Sequence, residues 1–339
     1  MIWAFDEDVE STVTQNLLAT AEVVREPVGA GPGYWCGAPG ACYAADERAW
    51  YLTYRIRRPR GVEPDRGGEA RIAYSTDLRN WRDLWTVNKS QFQTASMERA
   101  ALKRGPDGRW RYFASFVDPA DGRWCVSVLK SAEIQALDAS TAVPVFTAGP
   151  LGLEGVKDPW IMEWDGVFHM ILSVALPTRS TTSSSHSTLD IFNTGQCLSA
   201  TGMALSRDLD KWEWQGVIFS PVNSGWDGYC RRINSIIPTR GGFLAFYDGS
   251  SGHHENYEEK TGLAISKDLR SWRSLTPSCP LFTSPHASGS LRYLDAVMTG
   301  ETPCLFYELA RPEGSHDLRL TQTKLESLQS CGAPLEGRL

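Results

Sequence analysis

Long apolar segments and a surplus of basic residues are both missing from this sequence. No apolar run approaches the roughly 20 residues that a membrane-spanning helix needs. The 34 Lys and Arg are outnumbered by 40 Asp and Glu, which leaves a net charge of −6. A protein that binds nucleic acid by neutralising phosphates needs the opposite balance. We therefore expect neither a membrane protein nor a nucleic-acid-binding protein.

Motifs for nucleotide and metal chemistry are absent as well. The chain contains no phosphate-binding P-loop, no Rossmann glycine fingerprint and no HExxH zinc helix. Its eight cysteines form no CxxC pair, which indicates buried thiols in a reducing compartment rather than a zinc site. We expect no cofactor and no bound metal.

The first residues carry no sign of export. Met1–Asp8 is acidic and lacks the basic and apolar regions of a secretory signal. This favours a cytoplasmic protein.

What the sequence does contain is a repeat. Three segments share the pattern A-x-S-x-D-L-x-x-W, and they are Ala73–Trp81, Ala204–Trp212 and Ala264–Trp272. The pattern predicts a strand that ends at Ser, a turn capped by the Asp side chain, a Leu in the core, and a Trp that opens the next strand. A degenerate copy of the pattern lies at Val126–Glu133.

Paired apolar strands recur upstream of these turns, with starts about 60 to 74 residues apart, near positions 38, 98, 158, 232 and 293. Five such hairpins, each extended by further strands, predict an all-β fold, a five-bladed β-propeller with four-stranded antiparallel blades. The alternative is a β-sandwich or two small all-β domains, but sandwiches do not repeat one turn at a fixed period. We expect a single domain over residues 1–339, closed by residues from the N-terminal stretch Ser11–Val24. The predicted blades cover approximately 30–90, 91–150, 151–224, 225–285 and 286–330.

One mouth of such a propeller is the predicted site, because the starts of the inner strands and the long polar loops after the second strands meet there. Paired carboxylates supply acid and base chemistry, arginines bind anionic groups, and aromatic rings stack on sugars. The predicted catalytic residues are Glu98, Asp158 and Asp295. The predicted substrate-binding residues are Trp35, Arg99, Trp160, Arg231, Arg232, Asp248, His253, Arg292, Tyr293 and Glu308.

Lys157–Ile161 followed by Trp164–Met170 resembles the "DP…DG" blade of the five-bladed propeller glycosidases. That superfamily includes arabinanases, β-xylosidases, relatives of invertase and levanase, and mannoside phosphorylases. The resemblance implies that Asp158 tunes and orients an acid, and that Glu98 lies at the second-blade carboxylate position. This sequence also differs from the family pattern at two positions. Ala38 stands where hydrolases have the first-blade Asp, and Arg231, Arg232 or Ile233 replaces the fourth-blade Glu.

Three functions are compatible with these residues. The first is a glycosidase or phosphorylase-like enzyme with a rearranged site, acting on a neutral or anionic carbohydrate-like small molecule. The second is a lyase, isomerase or cyclase that uses His253, His254 or His316 as acid or base. The third is a non-catalytic carbohydrate-binding propeller.

The Ser/Thr-rich stretch 178–188 predicts a flexible loop over the third blade, since side chains of this kind bury little surface.

Overall fold

The computed structural model of this protein describes residues 17–300 and 302–322, and it is an all-β structure. Residues 1–16 lie outside the described residues, and they include the acidic start of the chain and the first part of the predicted closing strand. No helix among the described residues is both long and apolar enough to cross a bilayer.

Twenty strands form the described chain. In order they are β1 (Glu22–Arg25), β2 (Trp35–Ala44), β3 (Ala49–Arg57), β4 (Glu69–Ser75), β5 (Arg82–Asn88), β6 (Ala101–Arg104), β7 (Trp110–Val117), β8 (Trp124–Ser131), β9 (Val143–Phe146), β10 (Gly155–Trp164), β11 (Val167–Pro177), β12 (Cys197–Ser206), β13 (Glu213–Phe219), β14 (Cys230–Thr239), β15 (Gly242–Ser250), β16 (Lys260–Ser266), β17 (Arg273–Ser274), β18 (Leu291–Thr299), β19 (Thr302–Ala310) and β20 (His316–Gln322). Short 3-10 helices lie at Lys89–Phe92, Ile134–Ala136, Ala139–Thr141, Gly149–Leu151, Ser183–Thr188, Ile191–Asn193 and His253–Glu255.

Strand pairing divides the described chain into successive antiparallel units of four strands. The first four units are β2–β5, β6–β9, β10–β13 and β14–β17. The fifth joins β18, β19 and β20 to the N-terminal strand β1, which pairs with β20. Single parallel pairs, Ser199 with Cys230 and Trp35 with His316, link neighbouring units into two larger sheets. The five predicted hairpins are present, and the closing strand lies at the C-terminal end of the predicted stretch.

The repeated turn has the geometry that its sequence predicts. In the copy of the third unit, the Asp208 side chain accepts hydrogen bonds from the backbone N–H groups of Asp210 and Lys211, each at 2.8 Å. Leu209 adopts a left-handed φ of 65° and is fully buried. Its carbonyl accepts a hydrogen bond from Nε1 of Trp212 at 3.2 Å, so the tryptophan stabilises the turn. The following strand begins one residue after the tryptophan rather than at it.

Hydrophobic cores lie between neighbouring units. Phe113 and Val128 of the second unit, for example, belong to one buried cluster with Met170 and Val174 of the third. Each unit therefore packs its face against the next, and the inner strands β2, β10, β14 and β18 are left to position polar side chains.

Three of those inner strands, β2, β10 and β18, share an irregularity at one position. Pairing with the second strand is interrupted after Gly37 in β2, after Lys157 in β10 and after Arg292 in β18. The next residues, Ala38, Asp158 and Tyr293, have left-handed φ values of 52°, 55° and 53°. Positive φ is uncommon for residues other than glycine, and such strained positions concentrate at functional sites.

Side chains from the preceding units hold these bulges in place. Glu308 accepts a hydrogen bond from the N–H of Ala38 at 3.1 Å, and Asp248 accepts one from the N–H of Tyr293 at 3.0 Å. The hydroxyl of Ser115 accepts the N–H of Asp158 at 3.2 Å. The bulges thus turn the inner strands toward side chains that β7, β15 and β19 supply.

Candidate functional site

Buried charged side chains meet where the bulges lie, and we call them the central cluster. Its carboxyl groups are Glu98, Asp158, Asp248, Glu259, Asp295 and Glu308, and its cations are Arg55, Arg57, Arg99, Lys157, Arg232 and Arg292. Every member is at most 5% exposed. Eight of the thirteen predicted site residues belong to this cluster, and the other five are described separately below.

Asp158 is the member with the most constrained backbone. It lies on the bulge of β10, with φ at 55° and 2% of the residue exposed. Its Oδ1 is 3.3 Å from the N–H of Arg99, and Lys157 Nζ is 3.4 Å from its Oδ2. That Oδ2 is buried and accepts no hydrogen bond from the described residues. Since buried carboxylate oxygens are almost always hydrogen-bonded, this oxygen, with Lys157 as its ion-pair partner, is a candidate to accept a hydrogen bond from a ligand.

Glu98 is held ionised. Arg55 Nε donates to its Oε2 at 2.5 Å, and the hydroxyl of Tyr293 lies 3.5 Å from the same oxygen. Burial disfavours the charged carboxylate, but Arg55 and Lys157 outweigh burial and hold the pKa of Glu98 at about 2. Glu98 is therefore suited to binding or to charge stabilisation rather than to donating a proton.

Asp248, in contrast to Glu98, has a raised pKa. Its Oδ1 accepts the N–H of Tyr293, whereas its Oδ2 has no hydrogen-bond partner among the described residues and lies 4.0 Å from an Arg232 nitrogen. Burial, together with the carboxylate of Glu259 and against the effect of Arg232, raises the pKa of Asp248 to about 7. A carboxyl group with this pKa carries a proton for part of the time at neutral pH, as a general acid must.

A chain of ion pairs connects the carboxylates of the fourth and fifth units. Arg232 donates to Glu259, and Arg292 Nη1 donates to the other oxygen of Glu259 at 2.8 Å. Arg292 also donates to Glu308 at 2.7 and 3.0 Å. Burial opposes ionisation of Glu308, but the two arginines Arg292 and Arg55 keep its pKa well below the usual value.

His316 extends this chain toward the loops. Its Nδ1 is 2.8 Å from Glu308 and its Nε2 is 3.0 Å from Glu258. Burial lowers the pKa of His316, but the two carboxylates outweigh burial, and the net shift is upward. With a carboxylate at each nitrogen, the ring is set up as a charged donor rather than as a base.

Arg99 and Asp295 lie at the centre of the units. Arg99 Nε donates to the carbonyl of Pro39 at 2.7 Å, and its Nη1 donates to the carbonyl of Asn234 at 2.8 Å. Its Nη2 is 3.4 Å from Asp295. Asp295 in turn accepts from the N–H of Ala41 at 2.6 Å and from Nε1 of Trp160 at 2.7 Å. Together these two side chains tie all five units to one another.

The aromatic candidates are packed against protein groups. Trp160 belongs to the buried cluster between the third and fourth units. The ring of Trp35 stacks on His316 at 4.6 Å between centroids, and the Arg292 guanidinium lies 4.8 Å from it. Tyr293 is 2% exposed and lies 5.1 Å from the Arg292 guanidinium. These contacts give the rings structural roles beside any contact with a ligand.

Loops from three units converge over the same end of the molecule. Asp190 accepts hydrogen bonds from Arg66 at 3.0 Å, from Nε1 of Trp124 at 3.2 Å and from the hydroxyl of Tyr257. Asp190 is 1% exposed. The segment that follows the Ser/Thr-rich stretch is therefore fastened to its neighbours, which the composition of the stretch alone does not predict. Within the stretch, His186 is buried and its Nε2 is 2.7 Å from Glu154.

Two predicted residues lie away from the central cluster. Arg231 points to the other face of β14 from Arg232, because successive strand residues alternate in direction. It pairs with Asp227 at 2.8 and 3.0 Å and lies over the ring of Phe219. His253 is exposed in a short 3-10 helix, with the ring of Tyr229 as its neighbour.

Four members of the cluster were not among the predicted site residues: Arg55, Arg57, Lys157 and Glu259. The alternation Thr53, Arg55, Arg57 along β3 is a signal that finds the first two, since it places three polar side chains on one face of a buried strand. No comparable signal distinguishes Glu259 from the other acidic residues of its loop. Within residues 17–300 and 302–322, no group of three or more His, Cys, Asp or Glu side chains is arranged to hold a metal ion.

The raised pKa of Asp248 predicts a pH dependence of stability. Because its pKa is higher in the folded protein, near 7, than the ordinary 3.8, the folded state binds this proton more tightly. That contribution to stability is present below about pH 4 and is lost as the pH rises through about 7. Between pH 5 and 8, wild type should therefore lose about 2.5 kcal/mol of unfolding free energy relative to Asp248→Asn, which cannot ionise.

Urea unfolding of the two proteins at both pH values measures this difference, and groups common to both cancel. Parallel pH dependences in the two proteins would show that Asp248 has an ordinary pKa.

Comparison with known proteins shows similarity in fold only. No protein-family model matches the chain, and no curated protein matches it significantly. Among solved structures, it is similar to a thermostable family-43 glycoside hydrolase, with a TM-score of 0.61, 12% identity, and 89% of this chain and 92% of that one covered. It is also similar to the β-1,2-mannobiose phosphorylase of Listeria innocua in complex with β-1,2-mannobiose, with a TM-score of 0.59, 13% identity, and coverage of 91% and 94%. The endo-arabinase of Bacteroides thetaiotaomicron aligns with a TM-score of 0.58, 14% identity, and coverage of 90% and 98%.

The structural neighbours are thus propeller glycosidases, an arabinase and a mannoside phosphorylase. The resemblance predicted from the sequence is confirmed at the level of the fold. At 12 to 14% identity this likeness carries no activity over to the present chain.

Proposed function

We propose that this protein is a glycoside-processing enzyme, a single-domain five-bladed propeller that holds a sugar or sugar-like molecule against the central cluster. The observation that carries this proposal is Asp158. It combines a left-handed bulge, nearly complete burial and an oxygen with no hydrogen-bond partner among the described residues. Strain and an unsatisfied polar atom at one residue are both expected of a catalytic position.

The acid role in this proposal belongs to Asp248. A protonated Asp248 would give its proton to the glycosidic oxygen as the bond from that oxygen to the anomeric carbon breaks. The raised pKa of Asp248, about 7, and its unpartnered Oδ2 support this assignment. Asp158 would orient the sugar through the free oxygen, and Glu98 would stabilise positive charge that develops on the ring.

The attacking group in this scheme does not come from the first unit. Ala38 occupies the bulge of β2 with a φ of 52°, close to the 55° of Asp158 on β10, so the equivalent position carries a methyl group and no carboxylate. Phosphate is its own nucleophile and needs no such base. Phosphorolysis, in which a phosphate oxygen bonds to the anomeric carbon and the leaving alcohol takes the proton of Asp248, therefore fits these residues better than hydrolysis.

The same Ala38 favours a second candidate, a carbohydrate-binding protein without turnover. The two candidates differ in products. We expect the protein to release product from a panel of aryl glycosides and β-linked disaccharides, with rates that rise on addition of phosphate and with a glycosyl phosphate visible by NMR.

Equal rates with and without phosphate would reject phosphorolysis and leave hydrolysis. Binding of panel members with no turnover under either condition would overturn the enzyme proposal and favour the binding protein.

A further inference from the structure

Arg57 differs from the other buried arginines in having no carboxylate. Eight arginines are buried among residues 17–300 and 302–322, and seven have a carboxylate oxygen within 4.0 Å: Arg55, Arg66, Arg99, Arg111, Arg231, Arg232 and Arg292. Arg57, at the end of β3, is 5% exposed and forms no ion pair within these residues. Its Nε is buried without a hydrogen-bond partner.

Two aromatic rings flank the Arg57 guanidinium. Its Cζ lies 4.2 Å from the ring centroid of Trp35 and 4.3 Å from that of Tyr257, and the two centroids are 5.9 Å apart, so the rings meet beside the cation and do not sandwich it. Ring faces attract a cation but accept no strong hydrogen bond, so these contacts leave the N–H groups without a strong acceptor. The rings also restrict the side chain, and a guanidinium fork matches the two oxygens of a carboxylate or two oxygens of a phosphate.

The charge of Arg57 has no carboxylate partner within ion-pair distance among the described residues, and Glu98 acts on it only from farther away. A buried cation without a close counter-ion is energetically costly. Burial, together with the repulsion of Arg55 and Arg292, outweighs the attraction of Tyr257 and Glu98 and lowers the pKa of Arg57, whereas the pKa values of Arg55 and Arg292 are raised. An anion that binds here would supply the missing partner.

The nearest polar atoms without partners are donors too. Trp35 Nε1 and both terminal nitrogens of Arg55 are buried and have no hydrogen-bond partner among the described residues. Arg55 and Arg57 point to the same face of β3, about 6 to 7 Å apart along the strand. The part of the central cluster around Arg57 therefore offers hydrogen-bond donors, which acceptor groups of a ligand would satisfy.

From this geometry we propose that Arg57, with Trp35 and Arg55 beside it, binds an oxyanion of the ligand, so that the glycoside processed here is acidic or is attacked by phosphate. This inference rests on the proposed function for the identity of the ligand as a carbohydrate. The shared chemistry is a planar pair of anionic oxygens, and it comes either from a sugar carboxylate or from inorganic phosphate.

Pairs of acidic and neutral sugars distinguish a sugar carboxylate from phosphate as the bound oxyanion, without any change in the protein. Glucuronate and glucose, galacturonate and galactose, and mannuronate and mannose differ only in a carboxylate against a hydroxymethyl group. By isothermal titration calorimetry, at least one acid should bind with a Kd about tenfold or more below that of its neutral partner, and its methyl ester should lose the preference. Phosphate that binds alone, with no acid preferred, would identify phosphate as the source.

Arg57→Met tests the residue itself. It keeps the side chain's packing against the rings but removes the charge, and it should raise the Kd for the preferred oxyanion by about tenfold or more. Arg57→Lys, which keeps the charge and loses the fork, should restore only part of it. Arg104→Met is the matched control, since Arg104 is 40% exposed and pairs with Asp46 and Glu47 at a hairpin turn. Its affinity for the oxyanion should equal that of wild type.

Two results would overturn the inference: equal affinity of wild type for acids, esters, neutral sugars and phosphate, or full oxyanion affinity in a folded Arg57→Met. These outcomes are distinct from failure of the proposed function. Turnover of neutral glycosides without any oxyanion preference would refute oxyanion binding by Arg57 but support the proposed enzymatic function. Oxyanion binding that depends on Arg57, without any turnover, would support the binding site but refute the enzymatic function.

Discussion

Asp158→Asn should lower kcat by about 10²- to 10³-fold, the usual cost of losing one positioned group that interacts with the transition state, while the Kd for a glycoside changes by less than about threefold. The amide is isosteric with the carboxyl group and keeps an oxygen to accept the N–H of Arg99. It loses the charge beside Lys157 and the second acceptor oxygen, which has no hydrogen-bond partner among the described residues. A defect in kcat without a defect in binding would place the role of Asp158 in the transition state.

The control for this substitution is Asp165→Asn. Asp165 lies in the turn that joins β10 to β11, is exposed, and has a φ of 52° that asparagine also tolerates. It should retain full activity. Wild-type kcat in Asp158→Asn would remove Asp158 from the chemistry, and equal losses of binding and stability would reduce it to a structural residue.

Arg99→Met should destabilise the protein by about 3–5 kcal/mol, the usual cost of removing one partner of a buried ion pair. The methionine would leave Asp295 without its cation and would leave the carbonyls of Pro39 and Asn234 without their donors. Because these partners belong to three different units, the loss affects their mutual packing and not one hairpin alone. Equilibrium unfolding in urea, monitored by tryptophan fluorescence, measures the change.

Arg104→Met serves as the surface comparison for this experiment too. Exposed ion pairs contribute about 0–1 kcal/mol, so its effect should be small. A loss below about 1 kcal/mol in Arg99→Met would contradict the role of Arg99 as the tie between units, since removing a buried ion-pair partner costs more.

Much of the strand arrangement could be predicted from the repeat, because the residues of its turn act locally. Asp208, Leu209 and Trp212 fix one turn through contacts within five residues, and the same contacts recur wherever the pattern does. The hairpins followed from apolar alternation in the same way. The bulges were not predictable, since the left-handed φ of Tyr293 depends on Asp248, which lies 45 residues away.

The candidate site was predicted only in part, for a reason visible in two arginines. Arg231 and Arg232 are adjacent and chemically identical, yet one pairs with Asp227 away from the cluster and the other lies within it. The register of β14 decides between them, and register comes from the packing of neighbouring units. Arg57 shows the same limit, because its lack of a carboxylate is a property of the assembled structure and not of its sequence neighbours.

A crystal structure of Asp158→Asn with a bound glycoside tests the central claim most directly. We predict that the sugar lies against the central cluster, with its glycosidic oxygen within hydrogen-bond distance, about 2.6–3.2 Å, of the free carboxyl oxygen of Asp248. A ring hydroxyl should contact residue 158. A glycoside bound away from these residues, with Asp248 enclosed by protein alone, would contradict the account.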